Sequence, residues 1–492
     1  MRRATSCRRG GDGLPLFLTL GGGVRLAMFA VVSALAYLSL APSPATAETL
    51  FSALARAYRG NPELNQNRAG LRARDEETTK AWGGMRPKAS ISASAGPQFS
   101  NIKIPAGREQ NTNQRRFIYD EYKGYPRGAT LNLSQTLFDG GRTEGAVGQA
   151  EANVFAGRAS LRLGEQSILQ NGATAYMNVL RDTAILGLRK NNIAVLEQQL
   201  AQTRDRFEIG EVTRTDIAQS EASLAQARSE FYAAQAVVKS SVATYRQIVG
   251  VEPKRLEPGR PVEKLLPKSM NEAISIALVE HPSVVVAQHQ VDAAAQAVKV
   301  AESVLAPTLS VGAQVSQQYD SFLGSPQSRQ FSAQASGQLN VPLYQGGGDY
   351  ASIRQAKEQL GQARLTADLQ RDGARAVVVS TFGQLEAARA SIVSSEAAAK
   401  AAEVALAGVR EEAKVGQRTT LDVLNARQAL LNARVGVVIA QRDRVVASYA
   451  ALAAVGRLSA RDLDLDVALY DPTIHYDQVK DKWFGVDAPD QN

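Results

Sequence analysis

The chain carries one pattern twice, in register over nearly its whole length. Adding 220 to a residue number takes Ala53 to Ala273, Ala57 to Ala277, Pro62 to Pro282 and Pro87 to Pro307. Farther along, adding 206 takes Leu133 to Leu339, Gly140 and Gly141 to Gly346 and Gly347, and Gly210 to Gly416. The same shift takes Asp216 to Asp422, Arg228 to Arg434 and Gly250 to Gly456. The difference, 220 − 206 = 14 residues, is one length change confined to the segment between Pro87 and Leu131. Solenoid repeats run about 20–45 residues. Units this much longer call for two copies of one large strand-and-helix element, set side by side.

Residues 1–47 read as a removable leader. Arg2, Arg3, Arg8, Arg9 and Arg25 give a basic start, Leu26 to Leu40 an apolar run, and Ala45-Thr46-Ala47 a small-x-small cleavage pattern ahead of Glu48. The run has 15 residues, short of the ~20 that a spanning helix needs. The single cysteine, Cys7, would leave with it, which removes disulfides, thiolate metal sites and cysteine nucleophiles from the mature chain. The leader holds five arginines and Asp12, so the formal charge falls from +8 to +8 − 4 = +4. That is too mild to argue for nucleic acid.

Each copy has two segments of strict period two. Leu309, Val311, Ala313 and Val315 alternate with Ser310, Gln314 and Ser316, and Phe331, Ala333, Ala335 and Leu339 alternate with Ser332, Gln334, Ser336 and Gln338. In the first copy Ala89, Ile91, Ala93 and Ala95 alternate with serines, and Leu131, Leu133 and Leu137 share a face. Strands of about ten residues, apolar on one face and neutral-polar on the other, suit a membrane barrel with a wet interior. Four strands cannot close a ring, and lipid does not tolerate open edges, so the barrel must be shared between chains. Two chains give eight strands and a filled interior; three give twelve and leave room for water.

Helical sequence fills the rest, with no proline between Pro126 and Pro253 or between Pro342 and Pro472. Ile217, Leu224, Phe231, Val238 and Tyr245 fall seven apart, as do Leu424, Leu431, Val438, Val445 and Leu452, the spacing of coiled-coil seams. Each copy breaks once: at Ile209-Gly210-Glu211-Val212-Thr213 and at Val415-Gly416-Gln417-Arg418-Thr419. Glycine ends the first helix; threonine, with an acid three residues on, starts the next. The expected organisation is a first unit at 48–250 (strands about 88–100 and 128–138, helices about 142–209 and 213–249). A connection follows at 251–268. The second unit is 269–456 (strands about 308–317 and 331–343, helices about 348–415 and 419–455), and a polar tail runs over 457–492. The aromatic segment from Asn101 to Tyr125, which holds the extra residues, is expected as an outward-facing loop.

These features resemble the TolC family of outer-membrane channel proteins. The likeness rests on Val415-Gly416-Gln417-Arg418-Thr419-Thr420-Leu421-Asp422-Val423-Leu424-Asn425-Ala426 and its counterpart Ile209 to Ile217. It rests also on Leu137-Phe138-Asp139-Gly140-Gly141 and Leu343-Tyr344-Gln345-Gly346-Gly347, where strand passes into long helix. The resemblance implies a mainly helical homotrimer with a twelve-stranded barrel in the outer membrane and a twelve-helix periplasmic tunnel. It implies a tip opened by a periplasmic membrane-fusion adaptor and an inner-membrane transporter, ATP-driven or proton-driven. Ile209, Gly210, Glu211, Val415, Gly416 and Gln417 would dock that adaptor. Asp422 would belong to an acidic entrance ring, and Asp216 and Arg418 to the bonding network of a gate. The chain departs from the pattern at Asn425, where some relatives carry a second acid, and at Ala413, where some carry a gate tyrosine.

The bland alternative for Asp216 and Asp422 is an acid at a helix start, welcomed by the helix dipole. No catalytic triad, phosphate loop, zinc pattern or paired-carboxylate motif is present, and His281 aligns with Asn61 before proline as a capping residue. No enzyme, cofactor or metal is therefore expected. The leading function is a duct with no energy source of its own, carrying drugs or unfolded proteins outward. Its rival is a trimeric surface fibre or adhesin, which would share both heptads and strands.

Overall fold

A computed structural model describes residues 48–108, 111, 113–320 and 328–489. The leader expectation for 1–47 lies outside the described residues. The first unit runs α1 (Leu50–Gly60), α2 (Pro62–Trp82), β1 (Lys88–Ala95), β2 (Gln98–Arg108), β3 (Arg115–Gly124), β4 (Arg127–Phe138), α3 (Arg142–Glu208) and α4 (Arg214–Val249). The second runs α5 (Met270–Glu280), α6 (Pro282–Glu302), β5 (Thr308–Tyr319), β6 (Arg329–Asn340), α7 (Gly348–Lys414) and α8 (Thr420–Val455), and α9 (Thr473–Val479) follows. Both α3 and α7 have 67 residues, about 100 Å at 1.5 Å per residue. No described helix is long and apolar enough to cross a membrane.

The four-stranded sheet has the order β1-β4-β5-β6, antiparallel throughout. Its register aligns like with like. Ile91, Leu131, Val315 and Ala333 form one row, and Ala89, Leu133, Ala313 and Ala335 another. Between them lie Ser90, Asn132, Gln314 and Gln334, and then Ser92, Thr130, Ser316 and Ser332, where the last two hydroxyls bond at 2.7 Å. One sheet face is therefore apolar and the other neutral-polar, and a slip of one residue would exchange them. The outer strands β1 and β6 are exposed at every residue.

Three expectations change. The strand expected over about 88–100 stops at Ala95, because Gly96-Pro97 interrupts the ladder, and a second strand begins at Gln98. The segment 101–125 is not a loop: β2 and β3 pair there as a separate hairpin, with Ile104 opposite Ile118 and Lys103 opposite Tyr119. Its β-branched and aromatic residues have the side chains that a pleated surface favours. Pro105 is tolerated beside a register shift between Pro105 and Arg108. In the second unit β6 stops at Asn340 rather than 343, because Pro342 has no N–H to donate.

The main core lies where the units meet the helical connections. Tyr176, Tyr245 and Tyr449 are fully buried there among Leu54, Leu169, Leu452 and Leu458. The Glu48 carboxylate accepts from Tyr245 and Arg56, each at 2.8 Å, and Tyr176 donates to the Glu48 carbonyl at 2.7 Å. His281 caps α6, its Nδ1 accepting from the Ser283 N–H. The tail is packed rather than free. Val479 is buried, His475 meets buried Asp75 at 2.9 Å, and Arg86 lies over Trp483.

Candidate functional site

Both helical breaks are tight turns held by identical backbone bonds. At the first, Gly210 has φ 80°, its N–H donates to Phe207, and Glu211 N–H donates to Arg206. At the second, Gly416 has φ 76°, its N–H donates to Ala413, and Gln417 N–H donates to Glu412. Only glycine enters this left-handed region without a steric penalty. Thr213 and Thr419 then cap the returning helices. Each threonine N–H donates to an acid oxygen at 2.9 Å, Asp216 at the first tip and Asp422 at the second. The acids' N–H groups donate back to the threonine hydroxyls. These are reciprocal capping boxes.

Asp216 and Asp422 thus have local roles in this protomer. Each carboxyl is held below its ordinary value, chiefly because it accepts the backbone N–H of Thr213 or Thr419 and then the hydroxyl of the same threonine. For Asp216 the Thr420 hydroxyl and Arg206 add smaller effects in the same direction, so the second tip reaches toward the first. Arg418 does not bond to either acid. Its guanidinium binds Glu412 at 2.8 Å, which raises its pKa, with Asp422 acting only through space. Asn425 is exposed. Ala413 packs against Leu406, Val423 and Leu430, in an apolar cluster with no polar bond to offer.

The two tips flank one cleft of about 640 Å³, lined by Asp216, Thr213, Gly416, Arg418, Thr419 and Thr420 among others. Leu424 of α8 joins Leu196, Leu200, Leu224 and Ala227 beneath it and ties the tips together. Ile209 and Val415 stand at the turns, each 71% exposed. Sequence reasoning missed Glu412 as the partner of Arg418, and missed the first-tip clamp, Arg206 to Glu211 at 2.8 Å. The available signal was a pair of opposite charges five or six residues apart, across a glycine turn.

A duplicated protomer with a one-sidedly apolar sheet, two ~100 Å helices and paired tight tips has the form of an outer-membrane export channel. The chain belongs to the outer membrane efflux protein family, whose sequence model matches residues 53–251 and 273–457. It is 42% identical over 446 residues to the outer membrane efflux protein BepC of Brucella suis, covering 91% of this chain and 93% of that one. It is 25% identical to the outer membrane protein TolC of Escherichia coli, covering 85% and 84%. Its fold is similar to that of the Campylobacter jejuni CmeC outer membrane channel, with TM-score 0.70, 16% identity, and 88% and 89% of the chains covered. The family's members are channels, not enzymes, and the fibre alternative finds no support among these relatives. The protein is an outer-membrane efflux channel.

Proposed function

We propose that three copies of this chain close a shared barrel of 3 × 4 = 12 strands in the outer membrane, above a tunnel of 3 × 4 = 12 long helices. The observation that carries this is the pair of open edges: β1 and β6 are exposed along their full length, and unpaired strand edges do not survive in lipid. The exposed face of α7 agrees, with Leu365, Leu369, Val393 and Val404 all turned away from the protomer's own cores. Residues 48–250 and 269–456 act as the two pseudo-equivalent units, and export removes 1–47. The β2–β3 hairpin is the outward-facing part. Native mass spectrometry of the detergent-solubilised channel tests the assembly: a trimer beginning at Glu48 is the expected result, and a monomer or dimer would overturn the shared barrel.

The tips are the partner-facing end. Ile209, Gly210, Glu211, Val415, Gly416 and Gln417 form an exposed apolar-and-polar surface of the kind a helical hairpin of a periplasmic adaptor can engage. The energy comes from an inner-membrane transporter, since this chain has no phosphate-binding loop. Near the trimer axis three copies of Asp422 form an acidic entrance that favours cations. The bonds from Thr419 hold these carboxyls below their ordinary value, which favours their ionised form. Arg418, with Glu412, braces the second tip from outside that ring. Small-molecule efflux is the favoured use, following the relative named for efflux. Crosslinking in whole cells, followed by identification of the inner-membrane partner, tests it. An ATP-driven protein exporter in place of a pump would replace efflux by secretion.

A further inference from the structure

Close to the tips, the two units carry equivalent contacts between their paired long helices, and one of these has lost its acid. In the first unit Arg204 on α3 reaches Glu221 on α4 at 2.6 Å. Adding 206 takes these positions to Arg410 on α7 and Arg427 on α8, so a second guanidinium stands where the carboxylate belongs. The adjacent contact is kept intact: Arg228 to Glu197 at 2.8 Å in the first unit, Arg434 to Glu403 at 3.1 Å in the second. The change is therefore local and the helix register is unaltered.

Arg427 is only 8% exposed, and its Nη1 has no hydrogen-bond partner. Burial and the like charge of Arg410 lower its pKa to about 10, still far above neutrality, so the buried charge persists. An unpaired buried cation is strongly unfavourable. The groove beside it has a volume of about 380 Å³ and is lined by Arg410, Arg427, Arg434, Asn191, Asn192 and Glu403 with apolar neighbours. Glu403 is the one acid in that lining and is bound to Arg434. Asn192 is buried as well. Two guanidinium groups and two side-chain amides among the walls of a largely apolar groove are the donor set for a planar or tetrahedral oxyanion, which the buried Arg427 Nη1 meets by a small rotation of its side chain.

We propose that this groove binds a small free oxyanion, a phosphate or a carboxylate, between Arg410 and Arg427. The anion does for the second unit what Glu221 does for the first: it neutralises the contact that joins the paired helices near the tip. A groove of this size holds an anion and its water rather than a segment of folded protein.

Titration calorimetry of the full-length channel in detergent tests this, with inorganic phosphate and succinate as separate probes against a constant chloride background. Saturable binding of either anion, with a rise in the thermal midpoint, is expected for the wild type. Arg427→Glu restores the charge pattern of the first unit, so it should weaken binding at least tenfold and remove the anion-dependent rise. Arg427→Met should weaken binding as much without restoring the ion pair, and it serves if the first variant misfolds. No saturable binding of either anion to the wild type, or unchanged binding in these variants, overturns the proposal.

Discussion

The first and second tips share their backbone plan and reverse the charges of their clamps. In both, a left-handed glycine is followed by a threonine–aspartate capping box. At the first, the helix supplies the cation and the turn the acid, Arg206 to Glu211; at the second, the helix supplies the acid and the turn the cation, Glu412 to Arg418. The difference separates what a duplicated fold must keep from what it can exchange. A positive φ and a capped helix start are demands of the backbone, and few residue types meet them. An exposed ion pair contributes little whichever partner is acidic, so its polarity drifts or is recruited. The long helices show the same division. The α3 helix buries 24 residues and α7 buries 8, although both have the same length and ends.

The largest expected effect is on what the tips share. Gly416→Val and Gly210→Val each force a β-branched residue into the left-handed region, at a strain of at least about 1–2 kcal/mol. Beyond the adjoining residues, no atom lies within 4 Å of a Cβ built at either site, so the penalty is conformational alone. Both variants should reach the membrane as oligomers yet lose export. Asn at the same positions, which tolerates this conformation, should largely restore it. Efflux at wild-type level in Gly416→Val would remove the tips as a functional surface.

Next comes the reversed clamp. Arg418→Ser and Arg206→Ser delete equivalent ion pairs, but only the former sits beside the acid that lines the proposed entrance. Single-channel recording should show a raised resting conductance for Arg418→Ser and little change for Arg206→Ser. Equal leaks would make the clamps interchangeable braces.

A smaller effect separates the two capping acids. Asp422→Ala should weaken block by divalent or trivalent cations, while Asp216→Ala should leave it unchanged. Block lost equally in both would spread the acidic entrance over both tips. Both carboxyls lie below their ordinary 3.8. Their contribution to tip stability is complete above about that pH and fades as pH falls through the lowered values. Cation block should therefore be flat from pH 7 down to about 5, with any loss confined to more acid solution.

The smallest effect concerns the contact both units keep. Arg228→Ala and Arg434→Ala remove half-exposed ion pairs, each expected to cost no more than about 1 kcal/mol. Thermal midpoints of the two variants should agree closely; a much larger cost at Arg434 would tie it to the neighbouring anion groove.

Much of this architecture was legible before any coordinates. The duplication appeared as constant residue offsets, the strands as a period of two and the seams as a period of seven. The tips appeared as glycine followed by a capping threonine and its acid. The β2–β3 hairpin was not legible, because a segment that holds the extra residues of the first copy, has no counterpart in the second and contains Pro105 reads as loop until its cross-strand partners are known. Nor was the role of Arg418, whose nearest acid in the capping sequence is Asp422 but whose bond goes back to Glu412.

By itself, then, the sequence determined everything that depends on a residue and its near neighbours: helix starts and stops, strand faces, left-handed turns and the twofold plan. Only the tertiary structure decided the sheet order β1-β4-β5-β6, the different burial of α3 and α7, and the enclosure of Arg427 without an acid. The reason is physical. Backbone preferences act within one or two turns and are repeated wherever the residues repeat. Burial and charge pairing depend on which distant segment arrives alongside, and two equivalent helices can meet different neighbours.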